Sequence, residues 1–195
     1  MSRSKWPTPT DDELLEELRE MDALTLIERK QRARFIAEET EGPSGASIPG
    51  VEFEAAMMFG DALRSFVAGN FLATVLSAQA FLEHCLATAL DTRGELNKSR
   101  LRFCDLINKC ADYGLVDEAL ANNLHRLRKL RNPYAHRQQR TPDEWPTWFY
   151  SRVMSEADGQ PYMLAEIDAK FALRCVVDYI RIINPDWVPP TQMEN

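Results

Sequence analysis

The sequence has little glycine and no glycine-rich loop. Its 195 residues include 8 Gly and 11 Pro, which excludes collagen-like and low-complexity classes. No glycine-rich turn of the kind that cradles phosphates between a strand and a helix is present, so enzyme classes built on such loops are excluded. The chain is long enough to bury a core without disulfides or a structural metal. We expect one globular body.

A long hydrophobic run is also missing. The longest nearly apolar stretch runs from Phe71 to Leu82 and then meets Glu83 and His84, so it is too short and too interrupted to cross a bilayer. The N-terminal residues turn acidic at Asp11, where a signal peptide would need an apolar core. The sequence predicts a cytoplasmic protein without a membrane span.

Cysteine is sparse and shows none of the close pairing found in zinc sites. The four residues are Cys85, Cys104, Cys110 and Cys175. Two of them lie within apolar helical patterns, and we expect reduced cysteines of the core. The alternative is a metal site formed by Cys104, Cys110 and a histidine.

Acidic residues exceed basic ones, and the formal net charge of -7 argues against a protein that coats nucleic acid nonspecifically. One segment departs from this balance. Residues 119–140 contain no acidic residue, and their basic residues are Arg126, Arg128, Lys129, Arg131, Arg137 and Arg140. The segment is either an RNA-binding surface or a solvated helix face that pairs with the acidic N-terminal helix.

Helical periodicity extends over almost the whole chain and predicts an all-α fold. We expect an N-terminal helical extension over 1–41, a linker over 42–50 (EGPSGASIPG begins at Glu41), a helical bundle over 51–184 and a tail over 185–195. In the extension, Asp11 or Asp12 caps one helix, and Thr25 with Glu28 indicates the start of a second. In the bundle, helices are expected at about 52–68, 71–92, 99–113, 117–131 and 168–183. Asp158-Gly159 between apolar residues suggests a small hairpin.

Candidate catalytic residues and a predicted helix break occur together in the segment Arg131-Asn132-Pro133-Tyr134-Ala135-His136. Arg131 falls on the apolar stripe of its helix, unless the helix has already ended there. Pro133 disfavours a helical Asn132, so Asn132 is expected to cap a new helical start and to place His136 near exposed amides, which lower an imidazole pKa. An arginine, a neutral-capable histidine and a helix N-terminus suit a phosphodiester whose transition state gains negative charge.

Two polar residues share the apolar side of the helix predicted over 71–92. Gln79 and Glu83 are four residues apart and fall beside the core stripe. They either hydrogen-bond to each other or orient Arg131 and His136 from a neighbouring helix.

Arg131, Asn132 and His136 in an all-helical chain resemble the HEPN superfamily, named for higher eukaryote and prokaryote nucleotide-binding domains. The family motif is Arg, often followed by Asn, and then His four to six residues after Arg. The resemblance covers about residues 52–184 and implies a HEPN-like up-and-down bundle. It further implies a metal-independent endoribonuclease without a cofactor, often a toxin or phage-defence protein, that works as a homodimer with facing motifs. One toxin subfamily carries Tyr two residues after the His, whereas this chain has Gln138 at that position.

The leading hypothesis is RNA cleavage by 2′-hydroxyl attack, with Arg131 and His136 as catalytic residues. Asn132, Gln79 and Glu83 are expected to support the site, and no residue is assigned as a metal ligand. An antitoxin or a defence-system protein is a further expected partner. The RNA-binding residues are Arg126, Arg128, Lys129, Arg137 and Arg140. One alternative is a catalytically inactive HEPN-like module that binds nucleotide, RNA or a protein partner. Another is a helical adaptor whose acidic N-terminal arm binds a partner.

Overall fold

A computed structural model describes residues 10–40, 51–95, 101–135 and 145–185, and these ranges contain helices without a β-strand. The predicted all-α fold is therefore confirmed. The linker 42–50 and residues 186–195 of the tail lie outside the described residues. The helices are α1 (Asp11–Thr40), α2 (Phe53–Ala68), α3 (Phe71–Thr92), α4 (Phe103–Asp112), α5 (Glu118–Ala135), α6 (Trp145–Glu156) and α7 (Pro161–Ile183).

Helix α3 is the centre of the bundle, because α2, α4, α5 and α7 all pack against it. The core includes Phe66 of α2, Phe81 and Leu86 of α3, Leu124 of α5 and Val176 of α7, each fully buried or nearly so. By length and composition α3 is also the one helix in the described ranges that could cross a membrane, and 50% of its most apolar window is buried inside the protein. Because four helices cover it, we interpret α3 as the core helix of the bundle.

The turn between α2 and α3 requires glycine. Gly69 has φ 82°, a left-handed conformation that ends α2. A Cβ atom at this position would lie 2.9 Å from the Tyr162 hydroxyl. The sequence predicted this break and the bounds of α2 and α3 to within one residue.

Helix α1 is one continuous helix of 30 residues, so the prediction of two helices was wrong. The capping box lies at its start: the Thr10 amide donates to Glu13 Oε2 at 2.7 Å, and the Glu13 amide donates to Thr10 Oγ1 at 3.3 Å. The capping residue is therefore Thr10, one or two residues before the predicted cap at Asp11 or Asp12. Thr25 caps nothing, because its hydroxyl donates to the Met21 carbonyl four residues earlier within the same helix.

The hairpin predicted around Asp158-Gly159 was also wrong. Both residues do adopt positive φ, 45° and 79°, but they end α6, and the Gly159 amide donates to the Val153 carbonyl at 2.9 Å. Helix α7 then begins at Pro161, seven residues before the predicted start, because proline fits the first turn of a helix.

Three of the four cysteines, Cys85, Cys110 and Cys175, are free and buried, as predicted for core residues. Burial raises the pKa of Cys85 and Cys175 to about 12 and that of Cys110 to about 11. Cys104 is partly buried, and its thiol donates to Asp105. The buried thiols are therefore protonated packing groups at neutral pH.

Candidate functional site

Arg131 lies in α5 directly beyond a buried leucine stripe. Leu120, Leu124 and Leu127 are 3%, 0% and 0% exposed, and Arg131 follows Leu127 by four residues and is partly buried. This position confirms the helical register predicted for Arg131. Helical geometry does not end there, because α5 continues to Ala135. A guanidinium group is thus held at the edge of the apolar interior.

Pro133 does not break the helix at Asn132. Residues 131–135 are all helical, so Asn132 is not the cap of a new segment, and the predicted break is wrong. A proline within a helix removes one backbone hydrogen bond, and α5 remains helical at Pro133 despite this loss. The effect predicted for the His136 pKa concerns a residue outside the described ranges, and it stays a prediction.

Several predicted site residues lie outside the part of the chain that the structure describes. They are His136, Arg137 and Arg140, and the side chain of Asn132 belongs with them. That Arg131 and His136 line one cleft stays a prediction.

Gln79 is buried in α3 and is 4% exposed, although its side chain is polar. Its Oε1 atom has no hydrogen-bond partner within the part of the chain that the structure describes. Glu83, one turn later, is partly buried. A buried amide oxygen without a donor costs roughly 1–3 kcal/mol, so its retention calls for an explanation such as a functional role.

The basic residues of α5 do not share one face. The Arg126 guanidinium lies 4.4 Å from the ring centre of Phe171 on α7. Arg128 is partly buried, Lys129 is exposed, and both lie near His125. Burial, assisted by the charges of Arg128 and Lys129, lowers the pKa of His125, whose Nε2 is 3.0 Å from Asn108 Oδ1. The cations therefore surround α5.

The sequence analysis missed a buried ion-pair cluster where α6 meets α7. Arg152 and Asp168 are 9% and 1% exposed, and two hydrogen bonds of 2.6 and 3.0 Å join them. Arg152 also donates two hydrogen bonds of 2.8 Å to Glu156, and these lower the pKa of that carboxyl group. Arg126 contributes to the same lowering, which places α5 beside the cluster. The only sequence signal was the four-residue spacing of Arg152 and Glu156.

One group of side chains in the described ranges has the types and spacing to hold a metal ion. Ligand atoms of Glu52, Glu54 and His84 lie within 4.8 Å of one another. Both glutamates are exposed, and His84 Nε2 is already 2.7 Å from Glu52 Oε2. A cavity of about 140 Å³ adjoins this pair and includes Cys85 and Tyr179 among its walls. The present geometry is that of a surface hydrogen bond that connects the start of α2 to α3.

Comparison of the chain with protein-family models, with curated proteins and with solved structures gives no match.

Proposed function

We propose that this protein is a metal-independent endoribonuclease of the HEPN type that acts in a cytoplasmic toxin–antitoxin or phage-defence system. The observation that carries the proposal is Arg131, a cation held on the buried face of α5 at the edge of an all-helical core. A cation placed in such a low-dielectric position stabilises a phosphorane more strongly than one in water. The cations Arg126, Arg128 and Lys129 of the same helix supply attraction for RNA phosphates.

In the proposed reaction, the ribose 2′-hydroxyl attacks the adjacent phosphorus, and the bond from phosphorus to the 5′-oxygen breaks. Arg131 stabilises the negative charge of the phosphorane, and Asn132 positions the RNA. His136 transfers a proton. In a homodimer with facing motifs, which the family resemblance implies, His136 of one copy accepts the proton of the 2′-hydroxyl and His136 of the second copy donates a proton to the 5′-oxygen. The products are a 2′,3′-cyclic phosphate and a free 5′-hydroxyl.

Gln79 has a supporting role in this proposal. No described residue donates a hydrogen bond to its buried Oε1, and α3 packs directly against α5. An amide oxygen of this kind is suited to accept a hydrogen bond from a guanidinium group or from a 2′-hydroxyl of the RNA. Glu83 is expected to act from the same helix, where it is partly buried.

A second candidate function, a catalytically inactive module that binds RNA or nucleotide, is favoured by one observation. Helix α5 continues through Pro133 to Ala135, so the break expected at Asn132 is absent. That break was the reason to expect Arg131 and His136 at one site. Such a module would bind RNA through the basic residues but would not cleave it.

The decisive experiment is incubation of the purified protein with mixed RNA in EDTA, followed by analysis of the termini. We expect fragments with 2′,3′-cyclic phosphates from the wild type and none from His136→Ala. Arg131→Ala should lose most activity, and Gln79→Ala should weaken it without abolishing it. Arg181→Ala, which removes an exposed arginine of α7, is the matched control and should leave cleavage unchanged.

Two results would contradict this proposal. Binding of RNA without cleavage, unchanged in His136→Ala, favours the inactive module. Cleavage that requires a divalent cation and persists in both Arg131→Ala and His136→Ala excludes the proposed chemistry.

A further inference from the structure

Three potential metal ligands converge where the start of α2 meets α3. Glu52 immediately precedes α2, Glu54 lies in its first turn, and His84 lies on α3. One carboxylate oxygen of each glutamate and one ring nitrogen of His84 all lie within 4.8 Å of one another. The packing of α2 along α3 therefore brings one imidazole and two carboxylates, all of them ligand types of zinc sites, to one point.

The backbone at the start of α2 makes this convergence possible. Residues two apart in a helix point roughly 200° away from each other, so two helical glutamates at this spacing would lie on opposite sides. Glu52 has φ −66° and ψ 155°, an extended conformation outside the helix, and its side chain forms no hydrogen bond that caps α2. Its Oε2 atom instead lies 2.7 Å from Nε2 of His84. The Glu52 carboxylate therefore serves the contact with His84 and not the helix cap.

The second carboxylate is not needed for that contact. Glu52 alone is enough to hydrogen-bond His84 Nε2. Within the described ranges, no arginine or lysine pairs with Glu54, so it adds negative charge beside Glu52 without a cation of the protein to balance it. A divalent cation between the two carboxylates would replace this repulsion by attraction to both.

A cavity of about 140 Å³ adjoins the cluster. Glu52 and His84 form part of its wall, together with Cys85 and Tyr179. Tyr179 is 3% exposed, and no described residue forms a hydrogen bond with its hydroxyl group, although a buried phenol usually has a partner. Burial raises the pKa of Tyr179 and the thiol groups of Cys85 and Cys110 raise it further, so the hydroxyl group lies on the Cys85 side of the ring. The unpartnered hydroxyl group indicates a polar occupant of the cavity, which has room for water.

We propose that Glu52, Glu54 and His84 bind a divalent transition-metal ion, of which Zn²⁺ fits best, and that a water molecule in the cavity completes its coordination. Three protein ligands with a water in the fourth position form an arrangement that Zn²⁺ adopts. Mg²⁺ and Ca²⁺ prefer oxygen ligands, so the imidazole of His84 selects against them.

Small side-chain movements are enough to form the site. Ligand atoms that lie roughly 2.0–2.1 Å from a tetrahedral Zn²⁺ are about 3.3 Å from each other. The 2.7 Å contact between Glu52 and His84 would lengthen by about 0.6 Å, and the widest separation, at most 4.8 Å, would shorten by about 1.5 Å at most. Exposed glutamate side chains make such changes by rotation, without movement of either helix. A bound ion would then join the start of α2 to α3.

The first test is a calorimetric titration of Zn²⁺ into the full-length protein, which has been treated with a chelator and then freed of it. We expect one ion per chain. His84→Gln should bind at least tenfold more weakly, since loss of a ligand costs at least as much as loss of a group that only orients one. His125→Gln is the matched control: it makes the same change at a histidine that contacts Asn108 instead, and it should bind like the wild type.

The second test uses Glu54→Gln, which removes a ligand charge and leaves the hydrogen bond between Glu52 and His84 in place. At least tenfold weaker binding of Zn²⁺ by this variant reports coordination and not a change in local structure. Glu118→Gln makes the same change at another exposed glutamate in the first turn of a helix and should bind like the wild type. Circular dichroism of each variant verifies that the helices are retained.

The third test replaces Zn²⁺ by Co²⁺, whose absorption spectrum reports the ligands. We expect visible d–d bands in the wild type that an excess of Zn²⁺ removes and that are absent in His84→Gln. An intense thiolate-to-cobalt band in the near ultraviolet would show that a cysteine such as Cys85 is a ligand, and it would contradict the proposed set of one nitrogen and two carboxylates.

Three further results overturn the proposal. One is a wild type whose dissociation constant for Zn²⁺ is in the millimolar range or weaker. Another is binding that remains unchanged in both His84→Gln and Glu54→Gln. The third is binding that His125→Gln weakens as much as His84→Gln does.

The metal site does not rest on the proposed nuclease activity, because none of its ligands is assigned to the RNA site and cleavage is expected in EDTA. Loss of zinc binding in His84→Gln with cleavage retained, or loss of cleavage in His136→Ala with zinc binding retained, separates the two proposals.

Discussion

The two halves of α1 have similar helical spacing of apolar residues but opposite environments. Leu14, Leu18 and Met21 recur at helical spacing and are 42%, 59% and 56% exposed, whereas Ile36 is 6% exposed. Both halves are helical. The spacing of apolar residues therefore predicts the helix and its apolar face, and the surroundings decide whether that face is buried.

Long-range contacts hold the second half in place. The Arg32 side chain is 5% exposed and donates from Nε to the Val67 carbonyl of α2 at 3.0 Å. The rings of Phe35 and Phe66 pack with centres 5.3 Å apart and planes tilted by 50°, and Glu39 pairs with Arg174 of α7 at 2.7 Å. The first half has exposed pairs such as Arg19 with Glu16, and near its end Asp22 and Glu28 pair with arginines of the second half. Isolated helices are marginal in water, so the first half depends on the second for its stability.

The largest expected difference comes from truncation of an apolar side chain in each half. Ile36→Ala should lower the free energy of unfolding by about 2–4 kcal/mol, because it leaves a cavity beside Leu63 and Phe66. Leu24→Ala, in an 80% exposed position, should change it by about 0.5 kcal/mol or less. Urea unfolding at submicromolar protein concentration measures both. Equal losses would mean that the first half packs on the body in solution.

A smaller difference is expected between two arginines. Arg32→Ala leaves the Val67 carbonyl without its donor and removes a cation 5.7 Å from the Phe71 ring centre, which should cost about 1–3 kcal/mol. Arg19→Ala removes an exposed ion pair that is worth at most about 0.5 kcal/mol. Thermal and urea unfolding of the two variants supply the comparison. A loss of less than about 0.5 kcal/mol for Arg32→Ala would exclude its role in fixing α1.

Local signals predicted much of the fold. The apolar spacing and the Gly69-Asn70 break located α2 and α3, because glycine is needed where the backbone turns left-handed. The same kind of signal misled at Asp158-Gly159, since two residues with positive φ end a helix as readily as they form a hairpin turn. Thr25 suggested a second helix start, because a threonine side chain often caps a helix. A threonine hydroxyl can also donate to a carbonyl of the preceding turn within a helix, and Thr25 does this.

The candidate site was predictable where it depends on the register of one helix. Spacing alone placed Arg131 beyond the leucine stripe and Gln79 among core positions, and the structure has both residues at least partly buried. The pairing of Arg152 with Asp168 depends on how α6 packs against α7, which spacing within one helix does not report. Pro133 favoured a helix break at Asn132, but α5 remains helical to Ala135.

The smallest expected effect concerns the first turn of α1. The hydrogen bond from the Thr10 amide lowers the pKa of the Glu13 carboxyl below its ordinary value. A carboxyl group whose pKa is lower in the folded state stabilises that state above its unfolded pKa, about 4.3, and loses this contribution as the pH falls through the lowered value. Glu13→Gln keeps an amide oxygen for the cap but cannot titrate. The helical ¹³Cα shifts of residues 11–14 should therefore decrease between pH 6 and pH 3 in the wild type relative to Glu13→Gln, and the helical shifts of residues 29–40 should show no such difference. An identical pH response of the two proteins at residues 11–14 would mean that the capping box does not hold the exposed end of α1 in solution.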